Sequence, residues 1–257
     1  MAYVCRLRRN GKAARFPAAG ILGTLIVALW MCRPCSPTTV LAITDGRNNQ
    51  IVIAADSLVQ HRYGPAESRC KIHVVTNDCT FAMAGMYKQD TPAFDLFALG
   101  QSACRSSGDL KQKADYFLSA ALPQLVEIMK DLAITDADYL KQHNEGKPII
   151  EVLFVGAYEG KPAAFARGVV PENGILKPEV INVPSDRVHL FAGVNGHIRA
   201  YINSHPRWEQ GGDINAAQRL IELEAAAHSD MVGLPISIGV VASSGRFRWI
   251  HRGRCEE

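Results

Sequence analysis

Two apolar runs separated by a five-residue turn constrain this chain more than any other stretch of it. Residues 38–44 (TTVLAIT) and 50–56 (QIVIAAD) flank Asp45-Gly46-Arg47-Asn48-Asn49. Asp-Gly between β-rich runs predicts a hairpin, because Gly takes the positive φ that the turn needs. Thr38 and Thr39 stand at the start of this hairpin, Asp56 at its end, and Lys71 opens the next expected strand. A hydroxyl, a carboxylate and an amine gathered at strand ends supply the parts of a nucleophile site. Taken singly, they also read as a strand-start threonine, a strand-end aspartate and a solvated edge lysine.

The remainder of the chain alternates blocks of strands with pairs of helices. Residues 69–76 and 79–84 predict a second hairpin, which ends in Ala84-Gly85-Met86. Apolar residues at helical spacing predict a helix over 90–104. A second helix follows Asp109, its N-cap, and carries the stripe Tyr116, Phe117, Ala120, Ala121, Leu125, Ile128, Met129, Leu132. Pro123 is expected to kink it. After a polar loop over 136–148, strands are expected at 149–158, 163–169, 179–183 and 189–192, then helices at 197–204 and 215–228. Strands at 235–242 and 247–251 close the chain. Strand blocks between helix pairs indicate antiparallel sheets stacked between helical layers, in one domain over residues 38–257.

The chain has 257 residues, enough for one substantial α+β domain with a full core. Its formal charge of +3 is unevenly spread: residues 1–37 hold six bases and no acid, leaving 22 bases against 25 acids in the body. A nucleic-acid partner is therefore not indicated. The basic start followed by the uncharged run 16–32 has the layout of a secretory signal or a membrane anchor, placing the body outside the cytoplasm. Of the seven cysteines only Cys32 and Cys35 have C-x-x-C spacing, and they fall in the expected targeting segment; no spacing suggests a zinc site, and disulfides such as Cys70–Cys79 are open to an exported protein. His197 and His205 lie eight apart with no carboxylate partner nearby in sequence, so neither a metal nor a cofactor is expected. His228-Ser229-Asp230 reads as a helix end rather than a triad, because adjacent residues do not build one.

The order of elements, with T-T-x-L-A-I, then I-V-I-A-A-D-S, then the lysine and the A-G after the next hairpin, resembles the N-terminal nucleophile hydrolases. Within them it looks like the proteasome β-type subunits, including the bacterial two-component proteasome-like protease. The resemblance implies a four-layer αββα sandwich, a homo-oligomer, and hydrolysis of peptides or small amides. By the same resemblance Thr38 is the nucleophile, freed by removal of residues 1–37, with its own α-amine as base. Asp56 holds Lys71, Lys71 favours the threonine oxyanion, Gly85 offers its backbone N–H to the tetrahedral intermediate, and Asp230 orients the threonine end. Thr39 stands as the alternative nucleophile.

Three positions depart from the family pattern. Pro37 replaces the usual glycine before the threonine, Gly193-Val194-Asn195-Gly196 replaces a Gly-Ser-Gly, and Gly233 replaces a serine. These departures motivate a second expectation, a non-catalytic structural or binding subunit of the same fold.

Overall fold

The computed structural model describes residues 39–45, 48–60, 65–90, 92–138, 147–183 and 189–255. Thr38, the turn glycine Gly46 and the apolar run 16–32 lie outside these residues. In chain order the first strands are β1 (Thr39–Asp45), β2 (Gln50–Ala55), β3 (Leu58–Val59), β4 (Glu67–Ser68), β5 (Ile72–Thr76), β6 (Cys79–Gly85), β7 (Lys88–Gln89) and β8 (Phe94–Asp95). Helices α1 (Leu96–Arg105) and α2 (Leu110–Thr135) follow, then β9 (Ile150–Tyr158), β10 (Lys161–Glu172), β11 (Ile175–Val183) and β12 (His189–Gly193). The chain continues through α3 (Gly196–Ser204) and α4 (Asp213–Ala227) to β13 (Ser237–Ala242) and β14 (Phe247–His251).

The strands form two five-stranded antiparallel sheets, ordered β12-β1-β2-β13-β14 and β11-β10-β9-β6-β5, with two small two-stranded sheets beside them. The fold class is α+β. Period-two alternation sorts the side chains of β1 and β2. Val40, Ala42, Ile51, Ile53 and Ala55 pack against Ile72, Ala82, Ala84, Leu153 and Val155 of the other sheet. Leu41, Ile43, Val52 and Ala54 pack instead against α3 and α4, through Ile198, Ala216, Ala217, Leu220 and Ile221. The outward face of β6 and β9 receives α1 and α2, and there Phe81, Phe117 and Phe154 are wholly buried. Ring centroids of Phe81 and Phe117 lie 6.1 and 5.4 Å from that of Phe154, within the range of favourable aromatic pairs. Both faces of both hairpins are thus apolar, which is why strands β1, β2 and β6 read as nearly continuous hydrophobic runs.

Several elements differ from the sequence expectation for local reasons. The first helix begins at Leu96 and not near Asp90, because residues 94–95 pair with 88–89 and the Asp95 carboxylate caps Ala98 N at 2.8 Å. Asp109 does cap α2, in a reciprocal capping box with Gln112, and Pro123 is accommodated inside that helix. The strands at 163–169 and 179–183 extend into one long hairpin, turned by Asn173 (φ 53°) and Gly174 (φ 76°). Two positive φ values in succession give the turn that matches strand twist. Lys71 immediately precedes β5 instead of lying inside it.

The cysteines pair as Cys70–Cys255 and Cys79–Cys104, so the Cys70–Cys79 bridge does not form. The first bridge spans 185 residues and fastens the C-terminus to the entrance of β5, beside Lys71. The second spans 25 residues and joins β6 to α1. Longer closed loops restrict the unfolded chain more, about 5 kcal/mol for the first against about 3.5 kcal/mol for the second in the chain-entropy account. Removing the longer bridge with Cys70→Ser and Cys255→Ser together is therefore expected to cost about 2–5 kcal/mol in denaturant unfolding. The Cys79→Ser/Cys104→Ser pair is expected to cost less. The reverse order would show that native packing, and not loop closure, sets the contribution of each bridge.

Candidate functional site around Asp56

The centre of the site is a carboxylate. Asp56 follows β2 directly and is 1% exposed. Its Oδ1 accepts from Thr39 N at 2.7 Å and from Lys71 Nζ at 2.8 Å. Its Oδ2 accepts from Leu58 N at 2.9 Å and from Gly233 N at 3.0 Å. Four donors fill the roughly four lone-pair positions of an ionised carboxylate. Lys71 is 3% exposed, so the ion pair is buried on both sides. Burial pushes the Lys71 ammonium down from the usual lysine range, and the Asp56 carboxylate opposes that shift.

Backbone geometry fixes the surroundings. Asp56 N donates to Thr39 O at 3.1 Å, so Thr39 and Asp56 exchange bonds across the open end of the hairpin. Ser57 N donates to Gly233 O at 3.0 Å, and Arg69 N to Ser57 O at 2.8 Å. The hydroxyl of Thr39 donates to Val194 O at 2.6 Å, just beyond β12. Thr39 therefore has both its amide and its hydroxyl engaged in hydrogen bonds.

The other expected residues are placed as follows. Gly85 ends β6 at φ +99°, where an added Cβ would come within 2.2 Å of Ile149 O. Only glycine fits this approach. Ile72, next to Lys71, pairs with Ala82 three residues before Gly85, which puts Gly85 and Lys71 toward the same end of one sheet. Asp230 is exposed, and its backbone carbonyl accepts the Gln60 amide. The segment after α4 reaches the site through Gly233. A Cβ at Gly233 would come within 2.7 Å of the Leu58 Cβ, which explains why no serine stands there. Asn195 donates to Gly193 O at 3.0 Å and accepts from Arg199 Nε at 2.7 Å, so its amide is spent within its own turn.

One acid went unread in the sequence. Glu151 lies on β9 with its Oε2 2.6 Å from Gly193 N, and it lines a cavity of about 250 Å³ with Arg167, Glu179, His189, Phe191 and Arg199. Neither Asp56 nor Lys71 lines that cavity. Burial raises the Glu151 carboxyl to about 7, Gly193 N–H opposes the rise, and nearby Glu179 adds to it. A lone glutamate in the run IEVLFVG was the only available signal, and an edge-facing acid explains such a residue equally well.

The raised Glu151 value carries a sign. The folded chain holds a proton there that the unfolded chain has already lost, so stability falls as pH rises from about 4.5 to about 7. Glu151→Gln keeps an acceptor for Gly193 and removes the titration. Thermal unfolding of both proteins across that range should show the wild type losing ground to the variant as pH rises. Parallel curves would place Glu151 in contact with water.

No protein-family model and no curated protein matches the chain. Solved structures do. A (Gly-1) mutant of Anbu from Hyphomicrobium sp. strain MC1 superposes with a TM-score of 0.53 at 14% identity, covering 86% of this chain and 89% of that one. Anbu from Yersinia bercovieri, described as an ancestral β-subunit, gives 0.52 at 13% identity, covering 83% and 87%. These neighbours correct the family expected from the sequence: the solved structures it resembles here are Anbu proteins, and at 13–14% identity the likeness is one of fold alone. What is shared is a proteasome-like fold.

Proposed function

We propose that this protein is a threonine hydrolase that cleaves amide bonds once its N-terminal segment has been removed. The observation that carries this reading is the buried Lys71–Asp56 pair, whose shared Oδ1 also holds the amide of Thr39. Thr38 precedes Thr39 by one peptide unit, about 3.8 Å from Cα to Cα. In this reading a chain beginning at Thr38 uses its hydroxyl as nucleophile beside Lys71, with its free α-amine, of ordinary value about 7.7–8.0, as the base. The Thr38 hydroxyl oxygen attacks the substrate carbonyl carbon while the amine takes the hydroxyl proton. The resulting oxyanion is stabilised by Gly85 N–H and by the positive charge of Lys71. Collapse expels the leaving amine, which takes the proton back, and leaves an ester on Thr38. Water, deprotonated by the same α-amine, then hydrolyses that ester and restores the threonine. Asp230 stands on the segment that also delivers Gly233 to Asp56, and in this reading it orients the freed terminus.

A four-layer αββα sandwich is part of this proposal; the packing of α1 and α2 on one sheet and of α3 and α4 on the other supports it. Two disulfides support an exported body, since such bridges persist in oxidising compartments. In this reading residues 1–37 direct export, as a cleaved signal or through residues 16–32 as a membrane anchor, and cleavage before Thr38 frees the amine. Among the described residues no helix is long and apolar enough to cross a membrane. The description of the Yersinia neighbour as a β-subunit supports a homo-oligomer; the substrates in this reading are peptides or small amides.

A second reading keeps the fold without the chemistry. Pro37, the engaged amide of Asn195 and the crowded Gly233 favour a structural or binding subunit with Thr38 still blocked. N-terminal sequencing and intact mass of the protein from its producing cells separate the two. The hydrolase reading expects a chain starting at Thr38 that is labelled once by an electrophile acylating threonine hydroxyls. Thr38→Ala should abolish labelling and lower hydrolysis at least about 10³-fold, and Lys71→Ala about 10²-fold or more. A chain that retains peptide before Thr38 and resists labelling would establish the non-catalytic reading.

A further inference from the structure

Glu224, on the last turn of α4, is fully buried. Its Oε2 accepts from Ile198 N at 3.0 Å, in the first turn of α3. Its Oε1 has no hydrogen-bond partner. Leaving a buried carboxylate oxygen without a donor costs more than leaving a neutral acceptor so. Two imidazole nitrogens face that oxygen: His197 Nδ1 at 3.5 Å, from the start of α3, and His228 Nε2 at 3.6 Å, from the C-cap of α4. No two of the three ligand atoms are more than 4.8 Å apart.

We propose that His197, Glu224 and His228 bind a divalent transition-metal ion of the zinc type. A tetrahedral ion with bonds of about 2.0–2.1 Å holds its ligand atoms about 3.3–3.4 Å apart. Two of the three separations are already close to that value, and modest rotation of the exposed His197 ring closes the third. Imidazole and carboxylate are the ligand types that such an ion takes, and the second oxygen of Glu224 is already oriented by Ile198 N–H, as outer-shell bonds orient metal ligands. The fourth position faces solvent beside His197, and water fills it. Glu224 and His228 are four residues apart and so share a helix face, while His197 arrives from another helix. This is why the sequence reading, which paired His197 with His205, found no carboxylate.

The ion would tie together the two segments that reach the Asp56 site. Val194, three residues before His197, accepts the Thr39 hydroxyl, and Gly233, five residues after His228, donates to Asp56. Binding there fixes both segments without touching the reacting atoms.

The test uses the full chain without a histidine tag, stripped with a chelator and titrated with zinc chloride by calorimetry. Cobalt(II) serves as the spectroscopic probe. The expected result is one ion per chain with a Kd below about 1 μM, visible bands of tetrahedral cobalt, and a higher Tm with metal. His197→Asn changes an exposed residue and leaves the metal-free Tm unaltered, yet weakens binding about 10-fold or more. His228→Asn is expected to do the same. No saturable zinc binding by the wild type, or equal affinity in wild type and His197→Asn, would overturn the proposal. Metal binding is read directly, so this outcome is independent of whether Thr38 hydrolyses anything.

Discussion

The Asp56 carboxylate is the junction on which the rest of the structure depends. Its four donors come from β1, from the chain just after β2, from the entrance of β5 and from the segment after α4. Lys71 enters from the second sheet and Asp56 from the first, so their ion pair is a polar tie across an otherwise apolar interface. In such surroundings a charge pair is strong only when all its remaining positions are filled, and it is costly when one partner is lost. Here three backbone amides fill the positions that Lys71 leaves. The carboxylate is thereby held by backbone whose course is already set by strand pairing.

That arrangement has a chemical consequence distinct from its contribution to stability. Burial presses the Lys71 ammonium downward and the Asp56 carboxylate opposes that shift, so the pair sits in a dry place with a fixed direction. Preorganised charge of this kind stabilises developing negative charge without reorganising in the course of a reaction. Thr39 shows how tightly the neighbourhood is specified: its amide, carbonyl and hydroxyl all have partners within 3.1 Å. A nucleophile at Thr39 would have to break two of these bonds.

Much of this was legible in the sequence, and the divide is physical. The hairpin of β1 and β2 and the Asp109 cap follow from local patterns, period-two runs and a capping residue, whereas the pairing of Asp56 with Lys71, which joins two sheets, was legible only through the family resemblance. The start of α1 was misplaced because Phe94–Asp95 is held by β7, a tertiary commitment that helical spacing cannot see. The disulfides were unreadable for the same reason, since Cys70 and Cys255 are brought together only when β14 returns beside β13. Glu151 and Glu224 escaped notice because nothing distinguishes a buried glutamate from an exposed one in a string of letters. Their character comes from Gly193 N–H and from the two imidazoles, contributed by other elements.

The departures from the family pattern acquire a common cause in this geometry. The positions in question, Asn195 and Gly233, lie on the two segments that flank the His197–Glu224–His228 cluster. Gly233 is compelled by the Leu58 side chain, which occupies the space a Cβ would need. Its N–H then approaches Asp56 directly, so backbone supplies a donor where a serine hydroxyl was expected. Asn195 turns its amide inward to Gly193 and Arg199, which stiffens the turn instead of offering a hydroxyl to solvent. At Gly233 backbone stands where a side-chain group was expected, and at Asn195 the side-chain amide serves its own turn. Backbone donors hold their direction only if the segments carrying them are held in turn. Glu224 already does part of this, since its Oε2 anchors the first turn of α3 from the last turn of α4. An ion on its other oxygen would complete the restraint at the point where a hydroxyl network is missing.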